Sequence, residues 1–341
     1  MRTSSSRMNE RRSRTPCVVI TSGDPCGVGP EVILKALDSP FPARARLVII
    51  GDLLVFAQTA KRLKRRLPAW RVVSPQHYSP DAAASRVFID TAHRGSFKPG
   101  QPTVQAGRAA LDYLDLAIGL ARRGWVEALV TAPVTKRVIE RAGAPFTGHT
   151  EYLARELKAK SVVMLFDSPT LRVVLLTRHL ALRRVASQAT ARLIRDTLMT
   201  TAQGLRTAFG IRRPRLAVLG LNPHAGEDGL FGHEEQTILL PAMRACQGRG
   251  MRLEGPYAAD GFFAAPHDAD AVICWYHDQG LIPFKLMARD AGCQMTLGLP
   301  IIRTSPDHGS ALDIAGQGRA NPGSMRYALR LAAKLVRRGK G

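Results

Sequence analysis

The chain has 341 residues, 45% hydrophobic and 22% charged, the balance of a folded globular protein of one or two domains. No apolar run approaches the ~20 residues of a membrane span. Five cysteines (Cys17, Cys26, Cys246, Cys274, Cys293) form no CxxC and, being odd in number, cannot all pair, so a reducing cytoplasm is expected. Lysine and arginine number 49 against 27 acids, a formal net charge of +22. The excess gathers in Arg2–Arg14, Lys61–Arg71, Arg212–Arg215 and Arg337–Lys340, with no RNA-binding aromatic motif, zinc finger or basic zipper beside it. It reads as solvated surface, with a nucleic-acid-binding protein as the distant alternative.

Residues 1–15 are polar and basic and are expected to form a disordered arm. From Cys17 onward, short β-branched runs alternate with helical patterns. Strands are predicted at Cys17–Thr21, Arg46–Gly51, Arg86–Asp90, Ala128–Ala132, Ser161–Phe166, Leu171–Thr177, Arg215–Leu221 and Ala271–Trp275. Helices are predicted at Pro30–Leu37, Leu53–Arg66, Gln105–Arg123, Thr150–Lys158, Thr190–Phe209, Glu234–Cys246 and Gly323–Arg337. Alternation of this kind means an α/β protein with a largely parallel sheet, in which ligands sit at the carboxyl ends of strands.

The candidate chemistry lies at those ends. Gly23-Asp24-Pro25-Cys26-Gly27-Val28-Gly29-Pro30-Glu31 is neither a Walker A loop nor GxGxxG, and reads equally as a tight turn or a binding loop. His179, His224 and His277 each follow a predicted core strand; three imidazoles so placed suit a divalent cation, though no spacing motif names the metal. Thr131-Ala132-Pro133-Val134-Thr135-Lys136 and Phe146-Thr147-Gly148-His149-Thr150-Glu151 offer hydroxyls, a lysine, a histidine and a helix start, a set that suits phosphate, with Thr147 or Thr150 also able to cap the helix. The stretch from Gly298 through Ser310 to Asn321 mixes small residues with His, Ser, Asp and Asn, as a loop around an adenosine would.

In this order, GDPCGVGPE, TAPVTK, FTGHTEY, NPHAGE, YHDQG and GLPIIRTSPDHGSALDIAGQG closely resemble the 4-hydroxythreonine-4-phosphate dehydrogenase family of pyridoxal phosphate biosynthesis, from about Cys17 to the C-terminal helix. The resemblance implies an isocitrate/isopropylmalate dehydrogenase-like fold of two α/β domains, with the active site in the cleft and at a homodimer interface. The expected domains are residues 16–132 plus 286–341 on the cofactor side and 133–285 for metal, substrate and dimerisation. It further implies ligation of one divalent metal, Zn2+ first and Mg2+ or Co2+ as alternatives, by His179, His224 and His277, the last from the partner subunit. Lys285 and Asp260 are the implied catalytic groups. His149, Thr150, Lys136, Lys285, Gln294 and Arg303 would bind substrate. Gly298, Pro300, His308, Gly309, Ser310, Asp313 and Asn321 would bind NAD, or NADP. Two departures bear on substrate choice: Gln294 stands where Asn is expected, and Gly261 follows Asp260 where Thr is common. They keep a 4-phospho-D-threonate or D-erythronate 3-dehydrogenase as the alternative, whereas the retained GHT and Lys136 elements favour a small phosphorylated substrate.

Overall fold

The structure is a computed structural model that describes residues 15–39, 45–80, 84–93 and 95–338; the expected basic arm lies outside them apart from its last residue. In chain order the strands are β1 (Cys17–Thr21), β2 (Arg46–Gly51), β3 (Arg71–Val73), β4 (Arg86–Asp90), β5 (Ala128–Thr131), β6 (Val163–Asp167), β7 (Arg172–Leu175), β8 (Arg215–Leu219), β9 (Arg252–Tyr257), β10 (Ala271–Cys274), β11 (Cys293–Leu297) and β12 (Ile302–Ser305). The chain divides into two compact units, one running to Leu157 and resuming at Ile301, the other spanning Lys158–Pro300.

The first unit is wholly parallel, in the order β3-β4-β2-β1-β5-β12. Its central strands are buried along their length, so they read as continuous apolar runs rather than alternating ones. Helix Val104–Arg122 covers them with Ala106, Ala109, Ala110, Tyr113, Leu114 and Ala117; Thr103 Oγ1 accepts from Ala106 N at 3.1 Å to cap its start. Helix Leu53–Arg62 stops one turn before its predicted end because Lys64 turns to φ +53. The strand order reverses direction between β1 and β5, the point where open parallel sheets bind ligands.

The second unit follows the order β11-β6-β7-β10-β8-β9. The sheet is largely parallel, as expected, with one exception: β6 runs antiparallel to both β11 and β7, while β7, β10, β8 and β9 are parallel. Phe166, Val173, Leu219, Val272, Leu281 and Phe284 form its core. Phe284 and Leu281 belong to helix His277–Ala288, which the sequence reading had not predicted. Gly280 and Pro283 obscure its pattern, yet Gly280 is what seats it: a Cβ there would lie 2.4 Å from Val173 Cγ1.

Both expected domain boundaries fall inside compact units. The 132/133 boundary is within the first unit, where helix Lys136–Arg141 packs on Val104–Arg122 so closely that a Cβ on Gly107 would meet Val138 C at 2.5 Å. The 285/286 boundary cuts helix His277–Ala288. The chain passes from one unit to the other at 157/158 and 300/301. Among the described residues no helix is long and apolar enough to cross a membrane, and all five cysteines are buried with none in a disulfide.

Candidate active site

In the second unit, β7, β10 and β8 are adjacent and parallel, so their carboxyl ends share one edge. His179 follows β7, His277 opens the helix after β10, and His224 follows β8. The bases of these segments are stitched together. Trp275 Nε1 donates to Leu219 O at 2.6 Å, Gln279 Nε2 to Gly220 O at 2.7 Å, and Thr177 N to Trp275 O at 3.0 Å. The His179 and His277 rings lie 5.8 Å apart.

That spacing fits a shared cation. With metal–nitrogen bonds of about 2 Å, each ring centre stands roughly 3 Å from the ion, so two rings on one cation fall within about 6 Å. His277 Nδ1 pairs with Asp278 Oδ1 at 2.7 Å, the orienting carboxylate that a ligating imidazole commonly has, leaving Nε2 for the ion. Among the described residues no group of three or more His, Cys, Asp or Glu closes on one point. His224 therefore shares the edge without joining the His179–His277 pair in a single cluster; its ring lies 5.9 Å from that of Phe231.

The loop carrying His224 is unusual. His224, Ala225, Gly226, Glu227 and Asp228 all have positive φ, from +39 to +88, making one left-handed turn. Each non-glycine residue there costs roughly 1–2 kcal/mol relative to a right-handed backbone.

The other expected residues of this unit are more dispersed. Asp260 is exposed on helix Ala259–Ala264, whose Phe262 and Phe263 pack on the core. Lys285 is exposed on helix His277–Ala288, about 12 Å along the axis from His277. Gln294 is buried on β11, its Nε2 donating to Thr296 Oγ1 at 3.2 Å. Gly298, at φ +90, closes the turn after β11, where a Cβ would collide with Ser161 O, and Pro300 is exposed.

In the first unit the motifs converge on the carboxyl edge of β1, β5 and β12. Arg303, on β12, is 3% exposed and donates from Nη2 to Thr131 Oγ1 at 2.7 Å. His149 opens helix His149–Glu156 and is held neutral: burial pushes its pKa well below the ordinary imidazole value, and the charges of Arg303 and Lys136 push it further. A Cβ on Gly148 would sit 3.5 Å from Lys136 Nζ. Two cations, a neutral imidazole and a helix start make a set whose chemistry suits an anion. The capping expectation is corrected here: Gly148 is the N-cap, with no side-chain cap, and Thr150 is buried inside the first turn.

The GDPCGVGPE loop is the keystone of the same edge. Asp24 N donates to Pro133 O at 2.9 Å and Val28 N to Ser310 O at 3.0 Å. A Cβ would lie 2.3 Å from Pro133 O at Gly23 and 2.9 Å from Ser310 Cβ at Gly27. Its glycines are thus required by backbone contact with TAPVTK and HGS. Ser310 Oγ meets Thr135 Oγ1 at 2.9 Å, and His308 Nδ1 lies 2.9 Å from Gly309 O. Asp313 O accepts from Gln317 Nε2, and Asn321 Oδ1 accepts from Gly323 N at the start of the last helix, Gly323–Arg338. Gly309 has open space around its Cβ position, which leaves the backbone approachable by a ligand.

Three residues here carry roles that the sequence does not assign. Glu31 Oε1 accepts from Lys35 Nζ at 2.8 Å and Ala320 N at 2.9 Å, while Lys35 also donates to Gly318 O and Ala320 O, so one ion pair fastens the 308–321 loop. Asp24 is fully buried, and burial raises its pKa against the lowering effect of hydrogen bonds from Thr135 and Cys26 N. Glu31 and Lys35 stand one helical turn apart, a signal that was available but reads as surface.

The family model described as Pyridoxal phosphate biosynthetic protein PdxA matches residues 43–332. A 4-hydroxythreonine-4-phosphate dehydrogenase from Bradyrhizobium diazoefficiens is 43% identical over 337 residues, covering 94% of this chain and 96% of that protein. One from Desulforapulum autotrophicum is 41% identical, covering 93% and 95%. The crystal structure of 4-hydroxythreonine-4-phosphate dehydrogenase from Klebsiella pneumoniae superposes with a TM-score of 0.81 at 34% identity, covering 94% of this chain and 99% of that one. Matches that span nearly the whole of both partners leave one conclusion: the chain is a member of the PdxA family of pyridoxal phosphate biosynthetic proteins.

Proposed function

We propose that this chain oxidises 4-phosphohydroxy-L-threonine at its 3-hydroxyl with NAD and a divalent cation. The product, 2-amino-3-oxo-4-phosphooxybutanoate, decarboxylates to 3-amino-2-oxopropyl phosphate on the route to pyridoxine 5'-phosphate. The observation that carries the reading is the placement of His179, His224 and His277 at the carboxyl edge of three adjacent parallel strands. When bound, the cation supplies Lewis acidity at the hydroxyl and NAD accepts the hydride.

The chain's own residues do the rest. Arg303, Lys136, His149 and the helix start at Gly148 hold the anionic ends of the substrate. His149, neutral before binding, can take up a proton as a phosphate dianion arrives. Lys285 pairs with the carboxylate or moves the proton of the 3-hydroxyl, and Asp260 is the second candidate for that transfer. Ser310, His308, Gly309, Asp313 and Asn321, with Gly298 and Pro300, receive the dinucleotide. Helix His277–Ala288 exposes Ile282, Leu286 and Met287, at 58%, 73% and 47%, an apolar face that supports a homodimer whose interface lies beside His277.

The test is NADH formation from 4-phosphohydroxy-L-threonine by metal-stripped protein, before and after adding Zn2+. Turnover that needs both the metal and NAD is expected; turnover unchanged by exhaustive chelation would remove the histidines from the reaction.

A further inference from the structure

The turn that carries His224 has a holder that no motif names. Glu235 is 2% exposed and opens a π-helical turn, Glu235–Leu239. Its Oε1 accepts from Leu221 N at 2.7 Å and Asn222 N at 2.8 Å; its Oε2 accepts from Asn222 Nδ2 at 2.9 Å. The same carboxylate lies against the left-handed turn itself, since a Cβ on Gly226 would fall 2.9 Å from Oε2. Asn222 is fixed a second time by Glu234 Oε2 at 2.8 Å. A carboxylate buried among three donors, at a place where the backbone inserts an extra residue per turn, marks a constrained and functional segment.

We infer that Glu235 is a positioning residue for metal binding: it clamps Leu221 and Asn222, so that His224, the first residue of the left-handed turn, is presented at the strand edge before the cation arrives. The inference rests on the metal reading above. A ligand on an unheld turn would have to be ordered by the cation, and the ordering would weaken affinity. Outer groups that orient ligands in this way are typically worth 10–100-fold in metal affinity.

The test uses Zn2+ alone, titrated against a chromophoric chelator, with the full chain. Glu235→Gln keeps the shape, removes the charge and turns one acceptor into a donor facing the Asn222 amide. Its Zn2+ affinity should fall at least about tenfold, while kcat at saturating Zn2+ recovers towards wild type. Asn222→Ala keeps the Glu235 carboxylate, removes one of its three donors and should lose affinity to a smaller degree; it decides the matter if Glu235→Gln does not fold. A folded Glu235→Gln, or failing that Asn222→Ala, with wild-type Zn2+ affinity overturns the inference. His224→Ala separates the two readings. If it binds Zn2+ as wild type does, the metal reading fails and the clamp with it. If it loses Zn2+ while Glu235→Gln does not, the clamp alone fails.

Discussion

Replacing Arg303 with Met isolates the anion-binding set from the fold. Arg303 is buried and donates to Thr131 Oγ1 at 2.7 Å, so the substitution removes at least this hydrogen bond, at about 1 kcal/mol each, and also the desolvation cost of a buried guanidinium, which is of the opposite sign. Stability should therefore change little, by about 1 kcal/mol or less, a Tm shift of a few degrees. Substrate recognition should change much more. Two charge-assisted hydrogen bonds to a phosphate or carboxylate are worth about 3 kcal/mol or more, roughly a 10²-fold loss in kcat/KM. A third consequence follows from the charge. Arg303 is the second cause, after burial, of the lowered His149 pKa, so Arg303→Met should raise it. In the wild type, His149 stays neutral in the folded state while the unfolded chain protonates near the ordinary pKa of about 6.5; its contribution to stability is complete above that value and is lost as pH falls below it. The variant should lose less stability on that acid side. The assays are initial-rate kinetics, thermal unfolding at several pH values and imidazole NMR titration. Unchanged kcat/KM, or an unmoved His149 titration, would refute the assignment of these residues to one anion site.

Other expectations test the remaining parts. His179→Ala and His277→Ala should each lose metal, measured by elemental analysis, and turnover, with unfolding midpoints near wild type. If His277 serves the partner's site, mixing these two inactive variants should restore activity after subunit exchange, because one site of each heterodimer receives neither defect; if the 5.8 Å pair works within one chain, mixing restores nothing. Deleting residues 1–15 should leave kcat/KM unchanged at moderate salt, and a large loss would show that the arm serves the site.

What the sequence could reveal was what leaves a local pattern. His179, His224 and His277 were visible because each follows a run of buried aliphatics, and parallel pairing of β7, β10 and β8 then put them on one edge. Helix His277–Ala288 was hidden because Gly280 and Pro283, which the packing tolerates or requires, weaken its helical signal. β11 was hidden too: CQMTL is buried on both faces, so Gln294 and Thr296 interrupt the apolar run without alternating with it in exposure. Glu235 reads as one more acid in His-Glu-Glu-Gln, and only the fold brings Leu221 and Asn222 to it. Similarly, Gly27 looked like a turn glycine until Ser310, far along the chain, was found pressed against it.

The most direct test of the account compares kcat/KM for 4-phosphohydroxy-L-threonine, its 2-hydroxy counterpart and the dephosphorylated compound, with NAD and Zn2+ saturating. The account predicts that the phosphorylated 2-amino acid is preferred and that loss of the phosphate abolishes most of the activity, with some turnover of the 2-hydroxy acid because Gln294 is longer than Asn by one methylene. A preference for the 2-hydroxy acid of more than about tenfold, ~1.4 kcal/mol in the transition state, would replace the vitamin-pathway substrate with a phosphorylated sugar acid. Equal turnover of the dephosphorylated compound would contradict the anion site built from Arg303, Lys136 and His149.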